Sequence, residues 1–255
     1  MKDRLQALAK EKVKTKMLDQ FKRYEEFLLR ENAKYNLTSI TDPEEIRQKH
    51  FADSMALLQL HDLPENTIVL DVGSGAGFPG VPLKIARPDF HVVLLESSAK
   101  KAAFLEMLCK ELKLMPGDGR LARLVDGYKR AQRSDGAQIE VHCARAEEAA
   151  HDPVLREQFG LVVSRAVAAL PMLCELCLPF VEVGGMFVAY KGTLERTNEE
   201  LKQAENAIKS LGGEVAQNVS RETFSGERTF VTIQKVKSTP TEYPRKYNAI
   251  TKKPL

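Results

Sequence analysis

The chain has 255 residues, 43% hydrophobic and 29% charged, an ordinary globular composition that excludes wholesale disorder, collagen and coiled coil. Its length suits one α/β domain with an appendage, and no apolar run approaches the roughly 20 residues of a membrane span. The formal net charge of +3 hides an asymmetry: residues 1–34 carry +4 and residues 235–255 carry +5, which leaves −6 for the body between them.

The amino terminus opens a charged segment and not an apolar signal core, so a cytoplasmic protein is expected. Residues 5–31 read as an amphipathic helix, with Met17, Phe21, Tyr24 and Leu28 on one face at i, i+4, i+7 and i+11. A turn follows over residues 35–43. Asp42 is placed to cap the next helix and Pro43 to occupy its first position. Helices then run to about Leu60, and Leu63-Pro64-Glu65-Asn66 is a loop.

From there strands and helices alternate. Strands are expected over Ile68–Val72, His91–Glu96, Ile139–Cys143, Leu161–Ser164 and Gly185–Tyr190. Helices are expected over Pro79–Arg87, Lys100–Leu114, Leu170–Leu178 and Glu195–Leu211. Glu214–Val219 and Thr229–Gln234 alternate like two strands with no helix between them, which predicts an antiparallel pair. Repeated βα units mean a mostly parallel, doubly wound sheet. The fold class is therefore α/β: a seven-stranded, Rossmann-like methyltransferase sheet with a terminal antiparallel hairpin and an N-terminal helical extension. The expected divisions are 1–64 for the extension, 65–236 for the methyltransferase domain and 237–255 for a basic C-terminal tail. Residues 115–138 make an insertion some four times longer than the usual link of about 2–6 residues. It reads as a surface excursion or as a basic lobe that touches RNA. The basic ends are either solvated or touch phosphates.

Cys109, Cys143, Cys174 and Cys177 do not form two CxxC pairs, and the one CxxC, Cys174 with Cys177, lies on an apolar helix where core packing is the plainer reading. The five histidines have no HxxxH or HxH spacing. No metal site is expected.

The chemistry concentrates in Val69-Leu70-Asp71-Val72-Gly73-Ser74-Gly75-Ala76-Gly77-Phe78-Pro79-Gly80. This glycine-rich turn leaves a buried strand and opens a helix, where parallel sheets bind ligands. Gly75-x-Gly77-x-x-Gly80 satisfies the dinucleotide pattern. That register leaves Asp71 and Gly73 unexplained and puts Pro79 inside the phosphate turn. The register Asp71-x-Gly73-x-Gly75-x-Gly77 matches the S-adenosylmethionine pattern and is preferred. In it Asp71 faces the methionine ammonium and the glycines line the methionyl part. Glu96, ending the second strand, is the usual partner of the ribose hydroxyls in either cofactor.

The fourth strand ends Val162-Val163-Ser164-Arg165-Ala166-Val167. It lacks the Asn/Asp-Pro-Pro-aromatic motif of exocyclic-amine methylation and the nucleophilic Cys of carbon-5 pyrimidine methylation. A ring nitrogen with a free lone pair, such as guanine N7, needs neither. Catalysis would then rest on in-line placement and electrostatics. Arg165 fixes the cofactor or a target phosphate, or else forms a structural ion pair. Lys191 carries the same two readings.

Several segments together resemble the glucose-inhibited division protein B family, the small-subunit rRNA methyltransferases G that make 7-methylguanosine in 16S rRNA. They are Tyr35-Asn36-Leu37-Thr38 through Glu45, Lys49-His50-Phe51-Ala52-Asp53-Ser54, Leu70–Pro82 with Gly77-Phe78-Pro79-Gly80, Leu95-Glu96-Ser97, Arg145-Ala146-Glu147, Ser164-Arg165-Ala166-Val167 and Lys191-Gly192. The ending Thr239-Pro240…Tyr243-Pro244-Arg245-Lys246 is similar to the family's Gram-positive branch. The resemblance implies that Gly73, Phe78, Glu96, Ser97, Ser98, Ala146, Glu147 and Arg165 contact S-adenosylmethionine. It places Tyr35, Asn36, Thr38, His50, Asp53 and Ser54 beside the cofactor and the incoming RNA, although His50 reads equally as a buried residue that orders its loop. The implied activity is guanine-N7 methylation of 16S rRNA, with the small ribosomal subunit as partner, no membrane, and a monomer by default. Rival readings are a nicotinamide oxidoreductase, a methyltransferase of another RNA or a small molecule, and a non-catalytic RNA-binding protein on a relict methyltransferase fold.

Overall fold

The structure is a computed structural model that describes residues 2–114, 138–223 and 226–255. Apart from Gln138, the long link over 115–138 lies outside the described residues.

The first helix, α1, spans Lys2–Tyr35, longer at both ends than its apolar stripe. It stops at Asn36, which takes the left-handed conformation (φ 51°) and donates its N–H to Asn32 O. Asp42 caps α2 (Pro43–Ile46) by accepting from Glu45 N at 2.8 Å. The helix then widens into a π-helical stretch, Arg47–Ala52, before α3 (Asp53–Met55). Such widened turns recur at functional sites.

Seven strands follow: β1 (Ile68–Val72), β2 (His91–Glu96), β3 (Ile139–Cys143), β4 (Phe159–Arg165), β5 (Val181–Lys191), β6 (Gly213–Thr223) and β7 (Gly226–Lys235). They form one sheet in the order β3-β2-β1-β4-β5-β7-β6. β1 to β5 run parallel, and β7 runs antiparallel to both neighbours. This is the class I methyltransferase fold expected from the sequence. The strand order reverses between the parallel neighbours β1 and β4, so the crevice for a ligand opens at their carboxyl ends.

Alternation along each strand splits the core in two. Val69, Val92, Leu94, Leu161 and Val163 face one way and pack with Tyr24, Phe27 and Leu28 of α1, with α4 (Gly80–Ala86) and with α5 (Ala99–Glu111). Leu70, Val72, Val93, Leu95 and Val162 face the other way, onto α7 (Leu170–Cys177) and α8 (Leu194–Ser210), with the short α6 (Ala146–Ala149) at one end. Cys174 and Cys177 lie fully buried in this second layer, and burial holds both thiols well above their ordinary range.

Residues 237–255, expected as a tail, lie docked on the second layer. Arg156 donates to the carbonyls of Thr239 and Tyr243 at 2.8 Å, and His151 Nε2 lies 2.9 Å from Pro244 O. Arg245 grips the fully buried Glu175 at 2.7 and 2.9 Å. The segment ends in α9 (Tyr247–Lys252), whose Ile250 is fully buried. Among the described residues no helix is long and apolar enough to cross a membrane.

Candidate functional site

Two cavities adjoin at the carboxyl edge of the parallel strands. The smaller, about 130 Å³, is lined by Gly73 after β1, Leu95 and Ser97 at the end of β2, Ala144 to Glu147 after β3, Val167, Met172 and Leu176, and Tyr247 of α9. The larger, about 780 Å³, is lined by Lys49, His50, Asp53, Arg165, Tyr190, Lys191, Arg196, Glu200 and Arg228, among others. Ala166 parts them. It stands in the left-handed region (φ 58°), which turns the chain so that Arg165 lines one cavity and Val167 the other. That conformation costs an L-residue roughly 1–2 kcal/mol, and such strain clusters at functional positions.

The glycine turn is fixed from several sides. Gly73 has φ 75°, and a Cβ there would lie 2.5 Å from Val167 Cγ2, so a side chain at this position would collide with Val167. Asp71 is fully buried. Its Oδ2 accepts from Gly80 N at 2.9 Å, and its Oδ1 has no hydrogen-bond partner among the described residues. Burial pushes its carboxyl up to about 7 against the Gly80 hydrogen bond. Glu96 accepts from Gly75 N at 2.9 Å and from Ser98 N at 2.8 Å. A carboxylate has about four acceptor positions, so this one retains capacity for further donors.

From the other side α1 holds the turn. Tyr24 donates to Ala76 O at 2.5 Å and stacks on Phe78 with 5.3 Å between centroids. Phe78 is the hub. His50 stacks on it at 4.5 Å, and the Arg165 guanidinium lies 5.0 Å from its centroid.

Arg165 connects the layers further. It donates to Asp53 Oδ2 at 2.9 Å, to the Lys49 carbonyl at 3.3 Å and to His50 Nδ1 at 3.2 Å. Asp53, only 1% exposed, also accepts from Arg228 of the terminal hairpin at 3.1 Å. Lys191 donates to Ala168 O and pairs with Glu200, which also accepts from Leu170 N. Glu227, the remaining carboxylate among the described lining residues, accepts from Ser220 Oγ.

His50 has both ring nitrogens engaged. Arginine only donates, so Nδ1 accepts and the ring proton sits on Nε2, 2.9 Å from Thr38 Oγ1. Burial, reinforced by the Arg165 charge, lowers the His50 pKa from 6.5 to about 4. The unfolded chain therefore binds this proton first as pH falls. Stability from the neutral ring is complete above about pH 6.5 and is lost between there and about pH 4. A melting series across that window is expected to slope steeply for the wild type and less for His50→Gln. Equal slopes would remove His50 as a source of acid sensitivity.

Of the residues expected from the sequence, Gly73, Ser97, Ala146 and Glu147 line the small cavity, and His50, Asp53, Arg165 and Lys191 the large one. Asp71, Gly75, Phe78, Glu96 and Ser98 line neither and instead build the turn. Thr38 acts through His50. Ser54 is buried, donates to His50 O at 2.6 Å, and its own carbonyl accepts from Tyr190. Tyr35 packs on Phe104, and Asn36 is exposed at the end of α1. Sequence reasoning missed Tyr24, Arg228 and Tyr247 as members of the site. Tyr24 read only as part of a core stripe, and neither of the others stands in a motif.

Comparison with known proteins agrees with this architecture. Residues 17–117 and 129–230 match the family described as rRNA small subunit methyltransferase G. The chain is 41% identical over 242 residues to the ribosomal RNA small subunit methyltransferase G of Clostridium novyi (strain NT), covering 94% of this chain and 90% of that protein. It is also 41% identical over 246 residues to the protein of the same name from Geobacillus kaustophilus (strain HTA426), covering 94% and 92%. Among solved structures, it is similar in fold to geranyl diphosphate C-methyltransferase from Streptomyces coelicolor A3(2). The TM-score is 0.50 at 13% identity, covering 72% of this chain and 79% of that one.

Proposed function

The chain belongs to the rRNA small subunit methyltransferase G family, and from that premise we propose that it methylates guanine N7 in 16S rRNA of the small ribosomal subunit, using S-adenosylmethionine. The lining of the small cavity suits part of that cofactor: Val167 approaches Gly73 so closely that glycine alone suits the turn, the Glu147 carboxylate lines the space, and Glu96 braces the turn at Gly75 N. When bound, S-adenosylmethionine supplies a sulfonium methyl group. Glu96 has acceptor capacity left for the ribose hydroxyls. Asp71 acts from behind the turn, by holding Gly80 N–H at the start of α4.

The observation that carries the N7 reading is the state of the acids in the large cavity. Asp53, Glu200 and Glu227 are each engaged, and His50 has no free nitrogen. Among the described residues each acid of this lining already holds at least one donor, so none stands as a dedicated base for an exocyclic amine or a hydroxyl. Guanine N7 keeps a lone pair at neutral pH and attacks in line without one. The chain's part is then to place the base and its phosphates. Lys49, Arg165, Lys191, Arg196 and Arg228 outnumber the three acids of the lining, which suits an RNA backbone. Arg165, which lines the large cavity and lies over Phe78 of the glycine turn, is the positioning cation in this reading. The domain divisions 1–64, 65–236 and 237–255 follow the same logic, with the extension bracing the turn through Tyr24.

The test is label transfer. Labelled S-adenosylmethionine is incubated with the protein and with small subunits purified from cells that lack this methyltransferase. The expected result is label in 16S rRNA. Label in the large-subunit rRNA, or none in either, would overturn the reading.

A further inference from the structure

The C-terminal segment does more than close the second layer. It is fastened at Arg245, whose guanidinium and backbone N–H all bind the buried Glu175 carboxylate, and at Ile250, which is fully buried. Between those anchors stands Tyr247. The residue is 41% exposed although both its flanks are fixed. The Arg145 guanidinium lies over it, 5.5 Å from the centroid, a geometry that orients an aromatic ring. The ring lines the small cavity together with Gly73, Leu95, Ala146, Val167 and Met172.

The rest of the lining is mostly aliphatic or backbone, joined by the polar side chains of Ser97, Arg145 and Glu147. Among the described residues Tyr247 is its one aromatic surface. A planar nitrogen heterocycle gains from a face against which to stack, and a tyrosine ring offers one at low conformational cost. We propose that Tyr247 is the stacking residue for the adenine ring, so that the docked C-terminal segment forms part of the cofactor site and not a free RNA-binding tail. This rests on the reading of the small cavity as the S-adenosylmethionine site.

The test measures S-adenosylhomocysteine binding to the full-length protein by calorimetry, without RNA or turnover. Tyr247→Ala is expected to bind about tenfold more weakly, equal to roughly 1.4 kcal/mol. Tyr247→Phe, which keeps the ring, is expected to bind within about twofold of the wild type. Because Tyr247 is 41% exposed, the melting temperature of both variants should stay near that of the wild type. Wild-type affinity in Tyr247→Ala would overturn the proposal, and equal losses in the Ala and Phe variants would assign the contact to the hydroxyl and overturn stacking. Failure of the wild type itself to bind would instead overturn the cofactor reading beneath it.

Discussion

An Arg165→Ala variant is expected to lose at least tenfold in methyl transfer, a barrier increase of about 1.4 kcal/mol or more. The expectation follows from what one guanidinium holds. It reaches Asp53 and the Lys49 carbonyl on one side, His50 on another, and lies over Phe78 beneath the glycine turn. Removing it releases the π-helical stretch from β4 and displaces His50, whose Nδ1 then faces no donor. Asp53 keeps Arg228, so its charge stays paired, and of the three hydrogen bonds lost the one to Asp53 alone is worth about 1.5–3 kcal/mol. Arg165→Lys should rescue little, because one ammonium cannot serve three acceptors in a fork and stack on a ring. Turnover and melting temperature measured together separate the two effects. Wild-type turnover in Arg165→Ala would take Arg165 out of the site.

The second large effect falls on stability. In Arg245→Ala the Glu175 carboxylate, fully buried, loses all its side-chain ion pairing. Stripping one partner from a buried pair costs about 3–5 kcal/mol. Arg245 keeps 27% of its side chain in solvent, which argues for the lower end, about 3 kcal/mol. For a chain of this size that corresponds to a melting temperature roughly 6–12 °C lower. The same change loosens the segment that carries Tyr247, so S-adenosylhomocysteine affinity should fall with it. An unchanged melting temperature would show that Ile250 and the Arg156 contacts suffice to dock the segment. Glu175→Gln is a milder companion, since it keeps an acceptor for the Arg245 backbone N–H.

Much of the fold was legible because buried parallel strands are continuous apolar runs. Ile68–Val72, His91–Glu96 and Ile139–Cys143 begin and end where the sequence predicts them. β4 and β5 start earlier than predicted. Their first residues include Gly160, Gly184 and Gly185, the pairing slips between Phe159 and Leu161, and Gly184 takes φ 94°. Irregular pairing of this kind leaves no alternating pattern to read. The glycine turn, Glu96 and Arg165 stood out in the sequence because each sits at the carboxyl end of a strand, where a parallel sheet gathers its ligands, whereas the Ala146-Glu147 pair was expected from the family resemblance alone.

What escaped the sequence depends on contacts between distant residues. Arg228 meets Asp53 across 175 positions, and Arg245 meets Glu175 across 70. No local spacing announces either pair. The docked C-terminal segment read as a basic tail because Lys246, Lys252 and Lys253 dominate its composition, while Ile250 alone supplies the buried apolar anchor of α9. Net charge has the same weakness. It counts Arg245 and Lys235 among the basic ends, although each is spent on a carboxylate inside the protein.

The central claim is that the large cavity presents guanine N7, and no exocyclic amine, to the methyl group. Borohydride reduction followed by aniline cleaves an RNA chain at 7-methylguanosine. Applied to 16S rRNA methylated in vitro by this protein, it should give one new cleavage that appears only when S-adenosylmethionine and active protein are both present, and that is lost with Arg165→Ala. Methyl label in 16S rRNA without cleavage would contradict the account, because the methyl group would then sit on an atom other than N7.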